Sequence, residues 1–195
     1  MTSGGAAGTR AIVVAGVSLS GKSTFAARLR DALEPRPVMV EGDDLHEAGN
    51  RARMESGVPL DEGARRRWIA RVAERIAAAP VDGSQILTCS CLSNASRAAL
   101  RAAGPVVFVF LDLTVDEAQR RALHRLRNDP GHHFQPARSP QLLEGQFRDL
   151  ERPAAEGDTR VVDADRRVEP GGLEDLVATV LRWLARRASA PPSHP

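Results

Sequence analysis

One lysine constrains this chain more than any other residue. Of its 27 cationic side chains, 26 are arginine and Lys22 is the sole exception. Arginine stands wherever a guanidinium would serve, so the ammonium kept at position 22 marks a place where it would not. Lys22 lies in Gly16-Val17-Ser18-Leu19-Ser20-Gly21-Lys22-Ser23, which fits the pattern G-x-x-x-x-G-K-[ST]. The apolar, β-branched run Ala11 to Ala15 precedes it and reads as a buried parallel strand. The stretch Thr24 to Leu33 follows with apolar residues at helical spacing. Strand, glycine loop and helix is the order a phosphate cradle needs. The glycines let successive N–H groups converge on the anion, and the helix N-terminus adds its partial positive charge. Gly16, Ser18, Ser20, Gly21, Lys22, Ser23 and Thr24 are therefore the expected nucleotide-binding set, with Lys22 on the β- and γ-phosphates. A compact ammonium suits that task better than a broad fork. The Ser23 hydroxyl is placed to ligate Mg²⁺.

The 195 residues suit one domain, and 42% hydrophobic content is enough to bury a core. No apolar run approaches 18 residues, so no membrane helix is expected. Met1 to Thr9 lacks a basic start and an apolar signal core. Cys89 and Cys91 lie two apart on one strand face, where a bridge would close too small a loop to stabilise much. These features predict a cytoplasmic protein. A net charge of +2, arginines interleaved with acids, and the absence of tyrosine argue against a nucleic-acid partner.

Further strands are expected at 37–40, 85–89, 105–111 and 160–162. Helical patterns at 50–55, 61–79, 94–103, 115–127, 140–150 and 172–187 separate them. This alternation predicts an α/β fold, a parallel sheet of about five strands with helices on both faces. Residues 10–188 read as one domain, with 1–9 and 189–195 as mobile ends.

Ligands in such sheets bind beyond the carboxyl ends of the strands. Beyond the second expected strand lies Glu41-Gly42-Asp43-Asp44-Leu45-His46. Asp43 is the candidate to orient an acceptor hydroxyl and take its proton, or to hold Mg²⁺ through water. Asp44 suits a helix cap equally well, and His46 alone also suits a structural histidine. Beyond the third lies Cys89-Ser90-Cys91-Leu92, leading to Arg97, which reads either as a clamp on the acceptor or as a surface arginine.

The order of these pieces resembles the thermoresistant gluconokinase family of P-loop proteins, related to the shikimate and nucleoside-monophosphate kinases. The resemblance rests on the phosphate loop, Glu41 to His46, Asn50, Met54, Ser56-Gly57-Val58-Pro59-Leu60-Asp61 and Trp68-Ile69. It continues through Cys89 to Leu92, Arg97, Gly131-His132-His133-Phe134, Gln146-Phe147 and Leu150-Glu151. It implies ATP and Mg²⁺, a homodimer, and phosphorylation of gluconate on its terminal hydroxyl. It also implies a lid over about 125–147, with Arg127 (or Arg125) neutralising the moving phosphoryl group. Asp43, His46, Arg97, His133 and Gln146 are then the implied acceptor contacts.

The chain departs from the family where Ser93 stands for the usual lysine and Ser96 for the usual tyrosine. The lid stretch Arg127 to Gly131 is about one residue longer and holds Asp129 and Pro130, and extra residues fall near 137–139. Losing a cation and a phenol predicts weaker recognition of a small carboxylate. A kinase for another polar hydroxyl compound and a nucleotide-binding regulator without turnover are the alternative readings. Intact Lys22, Ser23 and Asp43 argue against the regulator.

Overall fold

A computed structural model describes residues 8–55, 58, 60–81, 85–129, 140–155, 157–168 and 171–189. Five strands, β1 (Ala11–Ala15), β2 (Val38–Glu41), β3 (Gln85–Cys89), β4 (Val106–Asp112) and β5 (Thr159–Asp163), form one sheet. Their order is β2-β3-β1-β4-β5. Every pairing is parallel, as in Val13 opposite Leu87 and Val13 opposite Phe108. The helices are α1 (Lys22–Asp31), α2 (Ala48–Glu55), α3 (Glu62–Ala77), α4 (Asn94–Ala102), α5 (Val115–Asn128), α6 (Pro140–Arg148) and α7 (Gly172–Ser189). Short 3₁₀ turns occupy Gly42–Leu45 and Asp165–Val168.

The central strand β1 is buried at every position, so its side chains alternate between two apolar layers. Ile12 and Val14 join Val109 and Leu111 beneath Phe25 and Leu29 of α1 and Val180 and Leu184 of α7. Ala11 and Val13 join Phe108 and Phe110 beneath Trp68, Val72 and Ile76 of α3 and Leu100 of α4. Each fully buried Leu, Ile or Phe contributes roughly 1.5–3 kcal/mol, so the two layers hold the sheet from both faces.

All five expected strands form, β1 and β3 as expected and the other three differing by one residue at each end. One displacement matters: β2 runs on to Glu41, so that carboxylate sits on the strand terminus rather than in the loop after it. Asp61, Ser93 and Thr114 start α3, α4 and α5 by accepting from the N–H groups of Ala64, Ser96 and Glu117. The expected mobile ends fall largely outside the described residues, although Thr9 is buried. His133 and the middle of the expected lid, 130–139, also lie outside them. Among the described residues no helix is long and apolar enough to cross a membrane.

Candidate active site

The carboxyl ends of β1, β2 and β3 open into a cavity of about 600 Å³. Its first wall is the phosphate loop. Gly16 leaves β1 at φ +138°, where a Cβ would come within 2.6 Å of Leu111 O, so only glycine lets the loop turn there. Leu19 takes a left-handed φ of 69°. Lys22 Nζ donates back to Gly16 O (3.0 Å) and Val17 O (2.9 Å), which holds the ammonium against the loop. Burial lowers the Lys22 pKa, while Asp43 across the cavity raises it more than any other neighbour.

The loop is braced from behind by a residue the sequence did not single out. Arg121 of α5 is buried and donates to Leu19 O (3.1 Å), Ser20 O (3.4 Å) and Ala164 O (2.7 Å). It also pairs with Glu117 at 2.6 Å. In sequence Arg121 belongs to an ordinary basic run on α5. Only the packing of that helix on the loop tells it from its neighbours.

The second wall follows β2. Ser23 Oγ donates to Glu41 Oε2 (3.1 Å), and Thr88 Oγ1 of β3 donates to the same oxygen (2.5 Å). Gly42 packs so closely on β3 that a Cβ would lie 2.2 Å from Thr88 O. Its carbonyl accepts from Trp68 Nε1 at 2.8 Å. The His46 ring stacks on Trp68 with centroids 4.4 Å apart and 16° between planes. His46 is buried and its Nε2 lies 4.0 Å from Asp43 Oδ1. Asp43 is exposed, with 69% of its side chain open, and lines the cavity. The structure thus brings Lys22, Ser23, Asp43 and His46 around one space. It adds Glu41, the last residue of β2, whose carboxylate accepts from both Ser23 and Thr88.

The third wall holds Ser90, Cys91, Leu92, Ser93 and Ser96. Ser93 Oγ caps α4 and lies 2.9 Å from Ser96 Oγ. Cys89 and Cys91 are both free and buried, and burial pushes the Cys89 thiol up, so it stays protonated. Arg97 is neither the surface arginine nor the cavity-facing clamp that the sequence allowed. It is 1% exposed. Its guanidinium donates to Cys91 O (3.0 Å), Leu92 O (2.8 Å), Asn94 Oδ1 (2.5 Å) and Glu151 O (2.6 Å). The fork is spent on folding the loop after β3 against the chain after α6, and it does not line the cavity.

Among the described residues, the lysine and arginines that do line it are Lys22, Arg65, Arg125 and Arg148. Arg65 Nη1 of α3 holds Asp149 at 2.9 Å. Of the two lid arginines, Arg125 faces the cavity, and burial lowers its pKa. Arg127 is exposed and points elsewhere, two residues further round the helix. Gln146 of α6 contacts Ser18 of the phosphate loop: Ser18 N donates to Oε1 (2.7 Å), and Nε2 donates to Ser18 Oγ (2.9 Å).

A family model described as adenylylsulphate kinase matches residues 9–130, more than half the chain. The gluconokinase of Gluconobacter oxydans is 36% identical over 146 residues, covering 74% of this chain and 76% of that protein. The thermoresistant gluconokinase of Escherichia coli is 32% identical over 177 residues, covering 89% and 93%. This chain belongs to the gluconokinase family of P-loop kinases. The crystal structure of a gluconokinase from Sinorhizobium meliloti aligns with a TM-score of 0.76 at 34% identity, over 94% of this chain and 95% of that one. The parallel five-stranded P-loop kinase fold, the phosphate loop and the kinase assignment expected from the sequence all stand.

Proposed function

We propose that this gluconokinase-family protein transfers the γ-phosphoryl group of ATP to the terminal hydroxyl of gluconate. The observation that carries the reading is Asp43, placed opposite Lys22 in one cavity and coupled to it electrostatically. Phosphoryl transfer needs an in-line hydroxyl, a place for its proton and charge to meet the developing oxyanions. Asp43 orients the hydroxyl and accepts the proton. Lys22 leaves its two loop carbonyls and turns to the β- and γ-phosphates.

Mg²⁺ suits the oxygens present. Ser23 Oγ and the Glu41 carboxylate are hard donors already 3.1 Å apart at the start of α1. Among the described residues no cluster of three His, Cys, Asp or Glu could hold a metal alone. Mg²⁺ typically takes one or two protein oxygens together with substrate phosphates. Ser23 and Glu41 would hold it, and the ion would neutralise charge on the phosphates. Asp43 is then left for the acceptor.

At the other end of the acceptor, Arg65 supplies the cation that Ser93 no longer can. It lines the cavity, and its partner Asp149 is half exposed, so a substrate carboxylate can compete for the guanidinium. His46, fixed flat on Trp68, offers a ring edge to the hydroxyls between. Arg125 is the lid residue placed to meet the transferred group. A lid within about 125–147, whose α6 end already rests on the phosphate loop through Gln146, a homodimer and a cytoplasmic location follow from the family resemblance.

Asp43→Asn tests the assignment. It should bind ATP as the wild type does and lower gluconate-dependent ADP release by about 10²–10⁴-fold in kcat. Retention of wild-type kcat would remove Asp43 from the chemistry.

A further inference from the structure

The family resemblance puts Gln146 against the acceptor, but its carboxamide is engaged elsewhere. A main-chain N–H can only donate, so the amide atom facing Ser18 N must be Oε1. That fixes the flip and brings Nε2 to Ser18 Oγ as a donor. Once an N–H fills a lone pair of this hydroxyl, the Ser18 proton must point away from Gln146. Ser18 lies on the cavity wall, on the phosphate loop, and the group in transfer must sit between that loop and Asp43.

α6 (Pro140–Arg148) and the chain that follows it are held too firmly for this contact to be incidental. Leu143 is buried in the core. Asp149 is paired with Arg65, Glu151 N donates to Leu92 O, and Glu151 O accepts from Arg97. Gln146 is therefore presented to the loop by a segment bolted to α3 and α4.

We propose that Gln146 is a positioning residue for phosphoryl transfer, which aims the Ser18 hydroxyl proton at the oxygens of the transferring group. The inference rests on the kinase reading above and deepens it. Ser18 becomes a hydrogen-bond donor whose interaction strengthens as charge develops, and Gln146 acts only through it. No proton is transferred and no covalent bond is made by either residue.

The test is steady-state kinetics of Ser18→Ala, Gln146→Ala, Gln146→Glu and the Ser18→Ala/Gln146→Ala double variant, with thermal melts alongside. Each single alanine variant should lower kcat about 100-fold while the gluconate KM moves less than about 3-fold. The double variant should be no slower than the slower single, because the two residues act as one unit. Gln146→Glu is the decisive case. A carboxylate still accepts from Ser18 N, yet it cannot donate to Oγ and draws the Ser18 proton to itself. It should be as slow as Gln146→Ala, although the tether between α6 and the loop survives. A role confined to holding the loop predicts near-normal kcat for Gln146→Glu, and that result would overturn the proposal. So would a raised gluconate KM at unchanged kcat in Gln146→Ala, or wild-type turnover in Ser18→Ala. Slow ATP hydrolysis without acceptor, measured on the same variants, should fall in parallel. It keeps the two readings apart: a wild type that hydrolyses ATP but leaves gluconate untouched refutes the acceptor assignment alone.

Discussion

On the phosphate side of the cavity the groups proposed to meet the nucleotide are main-chain amides, one ammonium and the Ser18 and Ser23 hydroxyls, all supplied by the consecutive residues Gly16 to Ser23. On the acceptor side they are side chains from the turn after β2, from α3, from the loop after β3 and from α6. The first is a local device, since a tight loop at a helix N-terminus binds phosphate wherever it is placed. The second exists only once four segments have been packed together. The difference shows in the arginines. Arg97 stands near the acceptor wall in sequence and is consumed by the fold, whereas Arg65 on α3 faces the cavity.

The largest effect expected on either side is at Lys22. Lys22→Ala should lower kcat by about 10³-fold or more with the melting temperature little changed. Lys22→Arg should be nearly as poor, because the fork does not match a cradle shaped around an ammonium. Near-normal activity in Lys22→Arg would dissolve the contrast, making the local loop as tolerant as the assembled wall.

The two arginines should then separate cleanly. Arg97→Ala leaves three main-chain carbonyls and Asn94 Oδ1 without their buried donor. It should cost about 3–5 kcal/mol of stability in denaturant unfolding, with the gluconate KM of the folded fraction unchanged. Arg65→Ala should do the reverse. Its pair with Asp149 is partly exposed and contributes no more than about 1 kcal/mol to stability. Loss of a charge-assisted contact should raise the gluconate KM about 10- to 100-fold. If Arg97→Ala raised KM and left stability intact, the assignment of the two cations would be inverted.

The smallest effect is at Ser93. Ser93→Ala removes the cap of α4 and should cost about 1 kcal/mol in unfolding experiments. Its gluconate KM should hardly move, since Arg65 rather than position 93 carries the charge. A larger change in KM than in stability would make Ser93 part of the acceptor wall and not simply the start of a helix.

Much of this was legible before any coordinates. The Ala11 to Ala15 run dictated a strand buried on both faces, because five apolar residues in a row leave no side for water. Asp61, followed by helical spacing, announced the start of α3, and Asp43 could be placed by the rule that ligands gather beyond strand ends. Arg127 was less well served. A lid arginine can be inferred from position near the end of α5, but which of Arg125 and Arg127 faces the cavity depends on about 200° of helix rotation.

What the sequence determined by itself was therefore the periodic and the contiguous: strand and helix content, parallel order, the phosphate loop and its single lysine. Each of these depends on neighbours within a few residues along the chain. The tertiary structure alone decided which charges are free to act. Glu41 reaches Ser23 because Thr88 on the adjacent strand holds its carboxylate. Arg121 braces the loop from about 100 residues away, and Gln146 meets Ser18 across 128. An arginine's character in sequence is the same wherever it stands. Its role is set by which acceptors the fold brings within 3 Å of it, and that is a property of packing.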